Sequence, residues 1–394
     1  MDITAARAYR RDPLGFVEHA ARTGGDVFPL PDDSLCVVEP TLAMSVLRDE
    51  EGRYEDVSGF FHTGDGGLRP RAAQVAVGRA ARALLRDHLD DRRDRLPALA
   101  AGLNGTSRWP QAGPALVHQH LVDVLLHPDR PPRLHRLVRQ VVRRGVLARP
   151  EHLAGEIPLA LLRNAVVRAL TDQVRARRAA APGDPADLLD AVVDAVDATS
   201  PGTGDRAVAE VYLMLFRSVI APIGYAVAWS LRLTGAHQGR SPGLSFPWPA
   251  EWVVRESLRL WPVAWQLART VRRPHELGGV PVRPGKQITV CTYLLHRDQR
   301  HWPQAEAFRP DRWADTRQHG PYLPFGAGPF VCAGAAVAHT LAADLLTALT
   351  DRADLTIHGA NARPYAAGIV VPARFILRRT AHRAGTSTPI AGRR

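Results

Sequence analysis

The sequence predicts a mainly α-helical fold with small β-sheets in one large domain, and three observations carry that expectation. Apolar residues recur at helical spacing over Gln74 to Leu89, Ala186 to Ala198, Arg206 to Leu233 and Glu251 to Leu260, whereas strand-like alternation is confined to short stretches. No linker divides the 394 residues, of which 45% are apolar and 23% charged, ample for a buried core and a long cavity. Finally, the loop Pro324-Phe325-Gly326-Ala327-Gly328-Pro329-Phe330-Val331-Cys332-Ala333-Gly334 presents one thiol just ahead of the helical run Ala335 to Leu341.

The remaining elements follow in order. Met1-Asp2-Ile3-Thr4 lacks the apolar region of a signal peptide, so none is expected. Asp12-Pro13 opens a short helix, and Val27 to Leu30 and Leu35 to Val38 alternate as strands do. Tyr54 to Arg69 is irregular and holds Phe60, Phe61 and several glycines. Pro110 to Arg178 reads as several amphipathic helices broken at Pro128, Pro131-Pro132 and Pro150, with no assignable chemistry. The most apolar helix, Arg206 to Leu233, is divided by Arg217 and Pro222; a membrane span needs about 20 uninterrupted apolar residues, so a buried central helix and no membrane association are expected. Glu256 and Arg259, three apart, share one helix face. Leu277 to Val290 reads as a β-hairpin, with Arg269 just before it. Asp354 to Ile357 and Gly368 to Arg378 are closing strands; the domain is expected to span 1–379, with 380–394 a polar, disordered tail.

Cys36, Cys291 and Cys332 are the only cysteines, an odd count without a CxxC, which argues against a disulfide framework or a metal cluster and for a reducing cytoplasm. The net charge of +12 and pI near 10.6 rest almost wholly on arginine, Lys286 being the single lysine. A nucleic-acid binder is the remote alternative. The arginines of Arg79 to Arg95 and Arg133 to Arg144 lack interleaved aromatics that stack bases, so they read as solvated helix faces. At a helix N-terminus the dipole and unpaired N–H groups favour the Cys332 thiolate, and a metal would lower its pKa further. Gly326 and Gly328 permit backbone angles closed to other residues, and Gly334 leaves room for a flat cofactor. Cys332 is thus a candidate metal ligand.

The pattern Phe-x-x-Gly-x-x-x-Cys-x-Gly ahead of a helix resembles the haem-binding loop of the cytochrome P450 superfamily. The resemblance implies a triangular, helix-rich single domain with haem b ligated by Cys332, Phe325 beside the sulfur, and Gly328 and Gly334 at the family's glycine positions. Phe330 departs from the pattern, standing where the family has a His or Arg that bonds a haem propionate. By the same resemblance Glu256 and Arg259 form a buried network with Arg312 of Phe308-Arg309-Pro310-Asp311-Arg312-Trp313. Arg269 reaches a propionate, as does a basic residue of the Gln74 to Leu89 helix, Arg79 or Arg82. Phe60 and Phe61 lie in a loop roofing the substrate, and Val263, Trp265 and Ile369 complete an apolar pocket. A hydrophobic small-molecule substrate, a monomeric enzyme, and electrons from NAD(P)H through a reductase and an acidic ferredoxin complete the implied picture.

The helix Arg206 to Leu233 corresponds to the family's distal helix, where most members carry an acid-alcohol pair that delivers protons to dioxygen. Here Ser218-Val219-Ile220-Ala221-Pro222 puts Ala221 and Pro222 at those positions, and neither relays a proton. Three routes stay open: monooxygenation of a specialised metabolite with protons from substrate hydroxyls or water at the freed Ser218 carbonyl, peroxide-driven oxygenation, or a non-redox isomerisation, cyclisation or dehydration.

Overall fold

The structure is a computed structural model that describes residues 3–56, 68, 70–144, 156–181, 183–238, 248–315, 320–359 and 363–381. Phe60, Phe61 and residues 382–394 lie outside the described residues, while Thr380 and Ala381, expected in a disordered tail, instead end the last strand by pairing with Asp354 and Ala353. The helices are α1 (Ile3–Arg11), α2 (Pro13–Gly24), α3 (Pro40–Arg48), α4 (Arg71–Arg92), α5 (Leu96–Ala101), α6 (Ala112–Leu125), α7 (Pro132–Arg143), α8 (Glu156–Ala179), α9 (Leu188–Thr199), α10 (Asp205–Gln238), α11 (Ala250–Leu260), α12 (Thr292–Leu295) and α13 (Ala335–Thr350). Several begin on caps visible in the sequence. The Asp12 carboxylate accepts the Gly15 N–H at 3.1 Å, with Pro13 fixing the first turn of α2, and Glu39 accepts from Thr41 and Leu42 at the head of α3.

The strands are β1 (Val27–Pro29), β2 (Leu35–Val37), β3 (Tyr54–Asp56), β4 (Gly105–Trp109), β5 (Leu267–Val271), β6 (His275–Leu277), β7 (Val280–Val282), β8 (Gln287–Val290), β9 (Ala353–His358), β10 (Tyr365–Ala366), β11 (Val370–Val371) and β12 (Phe375–Ala381). A five-stranded sheet runs β1-β2-β8-β5-β3 and a three-stranded sheet runs β4-β12-β9. The stretch expected to be one hairpin therefore divides. Leu277 to Val282 turns back on itself as β6–β7, while β8 leaves to pair with β5 antiparallel and β2 parallel. Alternation sets which residues face a core, but the partner strand is chosen by distant chain. Strand β4, absent from the sequence reading, is held by β12.

Helix α10 is the axis of the core. It is long and apolar enough to cross a membrane, yet 72% of its most apolar window is buried against protein, and α6, α8, α9, α11 and α13 pack around it. It runs unbroken through Pro222. Its crossing with α6 is backbone on backbone: a Cβ on Gly113 would sit 2.2 Å from the Gly224 carbonyl oxygen, and one on Gly224 2.3 Å from the Pro114 nitrogen. Arginines brace the same layer. Arg177 bonds Asp194, and Arg178 bonds Asp197 and Asp205, tying α8 to α9 and to the start of α10. Much of the arginine content is thus spent on helix-to-helix ion pairs.

Candidate functional site

The glycine-rich loop is held in place by features that a side chain would destroy. Gly326 and Gly328 adopt φ of +74° and +71°, and a Cβ on Gly328 would lie 2.2 Å from the Leu47 carbonyl oxygen, so α3 and the loop touch without space for a methyl group. The Cys332 N–H donates to the Phe325 carbonyl at 2.9 Å, closing the loop, and Phe325 packs on the main core. On the other side a Cβ on Gly78 of α4 would come within 3.3 Å of the Ala333 Cβ. Cys332 therefore sits between α3, α4 and the head of α13.

Cys332 is exposed, yet burial still pushes its thiol above the ordinary value. Both hold if solvent reaches the sulfur along a slot walled by protein. The Gly334 N–H opposes the burial effect without overcoming it, so the helix start alone does not charge this thiol, contrary to the sequence expectation. A thiolate here needs a cation opposite it, which is what a metal ligand has. A Cβ on Gly334 would stand 4.0 Å from the sulfur and crowd one side of it. An accessible sulfur, small residues around it and a buried cation nearby fit a flat iron macrocycle bound through sulfur.

That cation is Arg269 on β5, only 3% exposed, which donates to the Ala268 carbonyl at 2.9 Å. Its guanidinium lies 5.0 Å from the centre of the Phe330 ring, and that of Arg71 lies 4.5 Å away from the same ring. Arg71 also donates to the Pro329 carbonyl. Among the described residues Arg71, at the first turn of α4, is thus the arginine of that helix that grips the loop. Arg79 and Arg82, the sequence candidates, are exposed. Phe330 positions two cations instead of supplying one. Phe330→Leu, which keeps apolar volume but removes the π face, is expected to destabilise the protein by about 1 kcal/mol, read as a lower urea midpoint at constant slope; an unchanged midpoint would show the ring does not hold them.

Behind the loop, Glu256 and Arg259 of α11 are completely buried. The Glu256 carboxylate accepts five hydrogen bonds: two from Arg259 at 2.8 and 3.0 Å, and one each from Arg312 at 3.1 Å, the Arg309 N–H at 3.0 Å and the Trp313 indole at 3.0 Å. Arg259 donates onward to the carbonyls of His296, Ala305 and Ala307. His296 and Trp313 were not singled out in the sequence. His296 is fully buried and held neutral, with a pKa lowered to about 3 by burial and by Arg259. Its Nδ1–H donates to the Arg259 carbonyl at 3.1 Å, and its Nε2 accepts the Leu323 N–H at 2.8 Å, immediately before the loop. The network thereby reaches the loop through an imidazole that must stay uncharged.

On α10, Ser218 donates its hydroxyl to the Met214 carbonyl at 2.9 Å, Ala221 is buried, and Pro222 has no N–H for the Ser218 carbonyl. Val263 is buried in the main core with Ile369 packed against it. Trp265 corrects the expectation of a pocket wall: it is 1% exposed, packs with Trp229 and Tyr293 in a separate cluster, and donates its indole N–H to the Ala367 carbonyl at 2.6 Å. Among the described residues no group of three or more His, Cys, Asp or Glu side chains is arranged to hold a metal.

A helix-rich fold wrapped on a central helix, with one exposed cysteine in a glycine loop braced by a buried Glu-Arg-Arg network, is the arrangement a thiolate-ligated cofactor requires. The family model described as Cytochrome P450 matches residues 250–362, which take in the network and the cysteine loop. Cyclooctatin synthase of Streptomyces melanosporofaciens is 31% identical over 248 residues, covering 55% of this chain and 53% of that protein. Cyclooctat-9-en-7-ol 5-monooxygenase of the same organism is 29% identical over 212 residues, 48% of this chain and 46% of that one. The alignments thus span about half the length of these curated relatives. Among solved structures, a mutant of P450 EryK in complex with erythromycin B superimposes with a TM-score of 0.69 at 19% identity over 97% of this chain and 99% of that one. The hydroxylase HmtN, involved in himastatin biosynthesis, gives 0.70 at 17% identity over 93% and 97%. These last two establish the fold alone. Residues 250–362 thus match the cytochrome P450 family, and the chain as a whole has the fold of these solved cytochrome P450 structures.

Proposed function

We propose that the protein is a haem-thiolate oxidoreductase that monooxygenates a hydrophobic small molecule in specialised metabolism, as one unit over residues 1–379. The observation that carries this reading is Cys332, exposed and fixed by the Phe325 carbonyl, Gly328 and the Glu256 network. Cys332, Arg269 and Arg71 would hold haem b, which would supply the oxygen-activating redox chemistry. The relatives named for cyclooctatin formation and for a 5-monooxygenase support the substrate class and reaction type. Electrons from NAD(P)H through a reductase and ferredoxin suit the surface of α4, where exposed Val75 is followed on the same face by Arg79 and Arg82. A cytoplasmic monomer completes the proposal.

Proton delivery falls to groups other than Ala221 and Pro222. Pro222 leaves the Ser218 carbonyl without its helical donor, and that oxygen is an acceptor able to hold a water or a substrate hydroxyl. Positioned proton transfer is worth typically about 10² to 10⁴ in rate, so dependence on a substrate hydroxyl follows. The same two residues favour the second reading, a peroxide-driven or non-redox enzyme. Candidate substrates incubated under labelled dioxygen with a ferredoxin system, with peroxide alone, or with neither separate the routes. Label in the product of the ferredoxin arm alone is expected; product formed without reductant, oxygen or peroxide overturns monooxygenation.

A further inference from the structure

We propose that the cleft between α6 and α7 is a second small-molecule site, which takes an organic anion with an apolar body. Its volume is about 400 Å³, in the range of pockets that enclose small organic ligands. Part of the wall is apolar, with Leu125, Val122, Val138 and Phe216, and none of the lining residues belongs to the cysteine loop or α13. Three observations give the ligand its charge.

First, His118 lines the cleft at 7% exposure, edge-on to the Phe216 ring at 6.0 Å, and makes no hydrogen bond among the described residues. Its ring nitrogens are not among the buried unpartnered atoms, so they open to solvent in the cleft, where a ligand can bond them in place of water. Burial, with Arg139 and His135 nearby, lowers its pKa to about 4, so it stays neutral and offers an N–H. Second, the charges lining the cleft do not cancel. Arg130 is spent on Asp187 and Asp190, and Asp123 on Arg95 at 2.9 Å, whereas exposed Arg136 and Arg139 form no ion pair among the described residues. Third, the positive N-terminal end of α7 meets the same space at Pro132. A carboxylate at the rim between Arg136 and Arg139, bonded by His118, with its hydrocarbon toward Phe216, satisfies all three. A neutral polar molecule would answer His118 but not the two arginines, and a cation would be repelled by them.

Calorimetric titration of the purified holoprotein with naphthoate, and with neutral naphthalenemethanol, tests the site. Naphthoate is expected to bind without shifting the haem absorption, and with an affinity unchanged when an iron-ligating azole fills the main pocket. The alcohol should bind at least about fivefold more weakly. Arg136→Gln with Arg139→Gln should weaken naphthoate at least about fivefold, and His118→Phe, which keeps the ring packing, should also weaken it, each variant retaining the parent circular dichroism. No binding at millimolar naphthoate, an affinity indifferent to these substitutions, or displacement by the azole overturns the proposal.

Discussion

Cys332→Ser is expected to abolish the strongly red-shifted absorption that the reduced carbonyl complex of a thiolate-ligated haem shows, while leaving the fold intact. The serine hydroxyl does not ionise near neutral pH, so the negative charge opposite the iron is lost outright. What holds the loop is backbone: the Cys332 N–H to the Phe325 carbonyl, and the glycine contact with Leu47. Those survive the substitution, and far-ultraviolet circular dichroism should be unchanged. A Cys332→Ser protein that binds haem and keeps the red-shifted band would place the ligand elsewhere and remove the basis of the functional reading. Because Cys332 is exposed, the test does not confound ligation with packing.

Glu256→Ala is expected to be the most damaging single change to stability. It removes an acceptor of five hydrogen bonds and leaves Arg259 charged and 0% exposed, with carbonyl dipoles and the Trp302 ring but no carboxylate to face. Breaking a buried pair in this way costs roughly 3 to 5 kcal/mol, against a total stability of about 5 to 15 kcal/mol for a typical domain. The damage is also directed. Arg259 bonds the His296 carbonyl, its own carbonyl holds His296, and His296 holds Leu323 at the entry to the cysteine loop. Haem occupancy of the purified variant should therefore fall together with its unfolding midpoint. Glu256→Gln, which keeps the shape and one oxygen acceptor, should lie between parent and alanine variant. Full occupancy and a parental midpoint in Glu256→Ala would deny the network its supporting role.

The Phe330 ring shows how a departure from a family pattern can be compensated by parts of the chain far away in sequence. Read alone, an aromatic in place of a cation means a lost anchor. With the guanidinium groups of Arg71 and Arg269 both against its ring, the same residue orients two cations from α4 and β5. Neither neighbour lies within fifty residues of it, so no local pattern could have revealed the pairing.

The sequence by itself determined the positions of α2, α4, α9, α10, α11 and α13, the loop and its cysteine, and the spacing of Glu256, Arg259 and Arg312, because periodicity, capping and glycine requirements are local properties of the chain. Helix α10 was legible for the same reason, its apolar run being long and broken by few charged residues. Only the tertiary structure decided which partner each local feature meets. Strand β8 joins β2 and β5 rather than the hairpin preceding it, and Trp265 is drawn into a core cluster instead of a pocket. Gly113 and Gly224, ordinary helical glycines in the sequence, prove to be the point where two backbones touch. His296 carries no motif, and its role exists only because Arg259 and Leu323 arrive on either side of its ring. Pairing across long sequence separation depends on how whole helices and sheets pack, and that is a property of the assembled core, not of any segment within it.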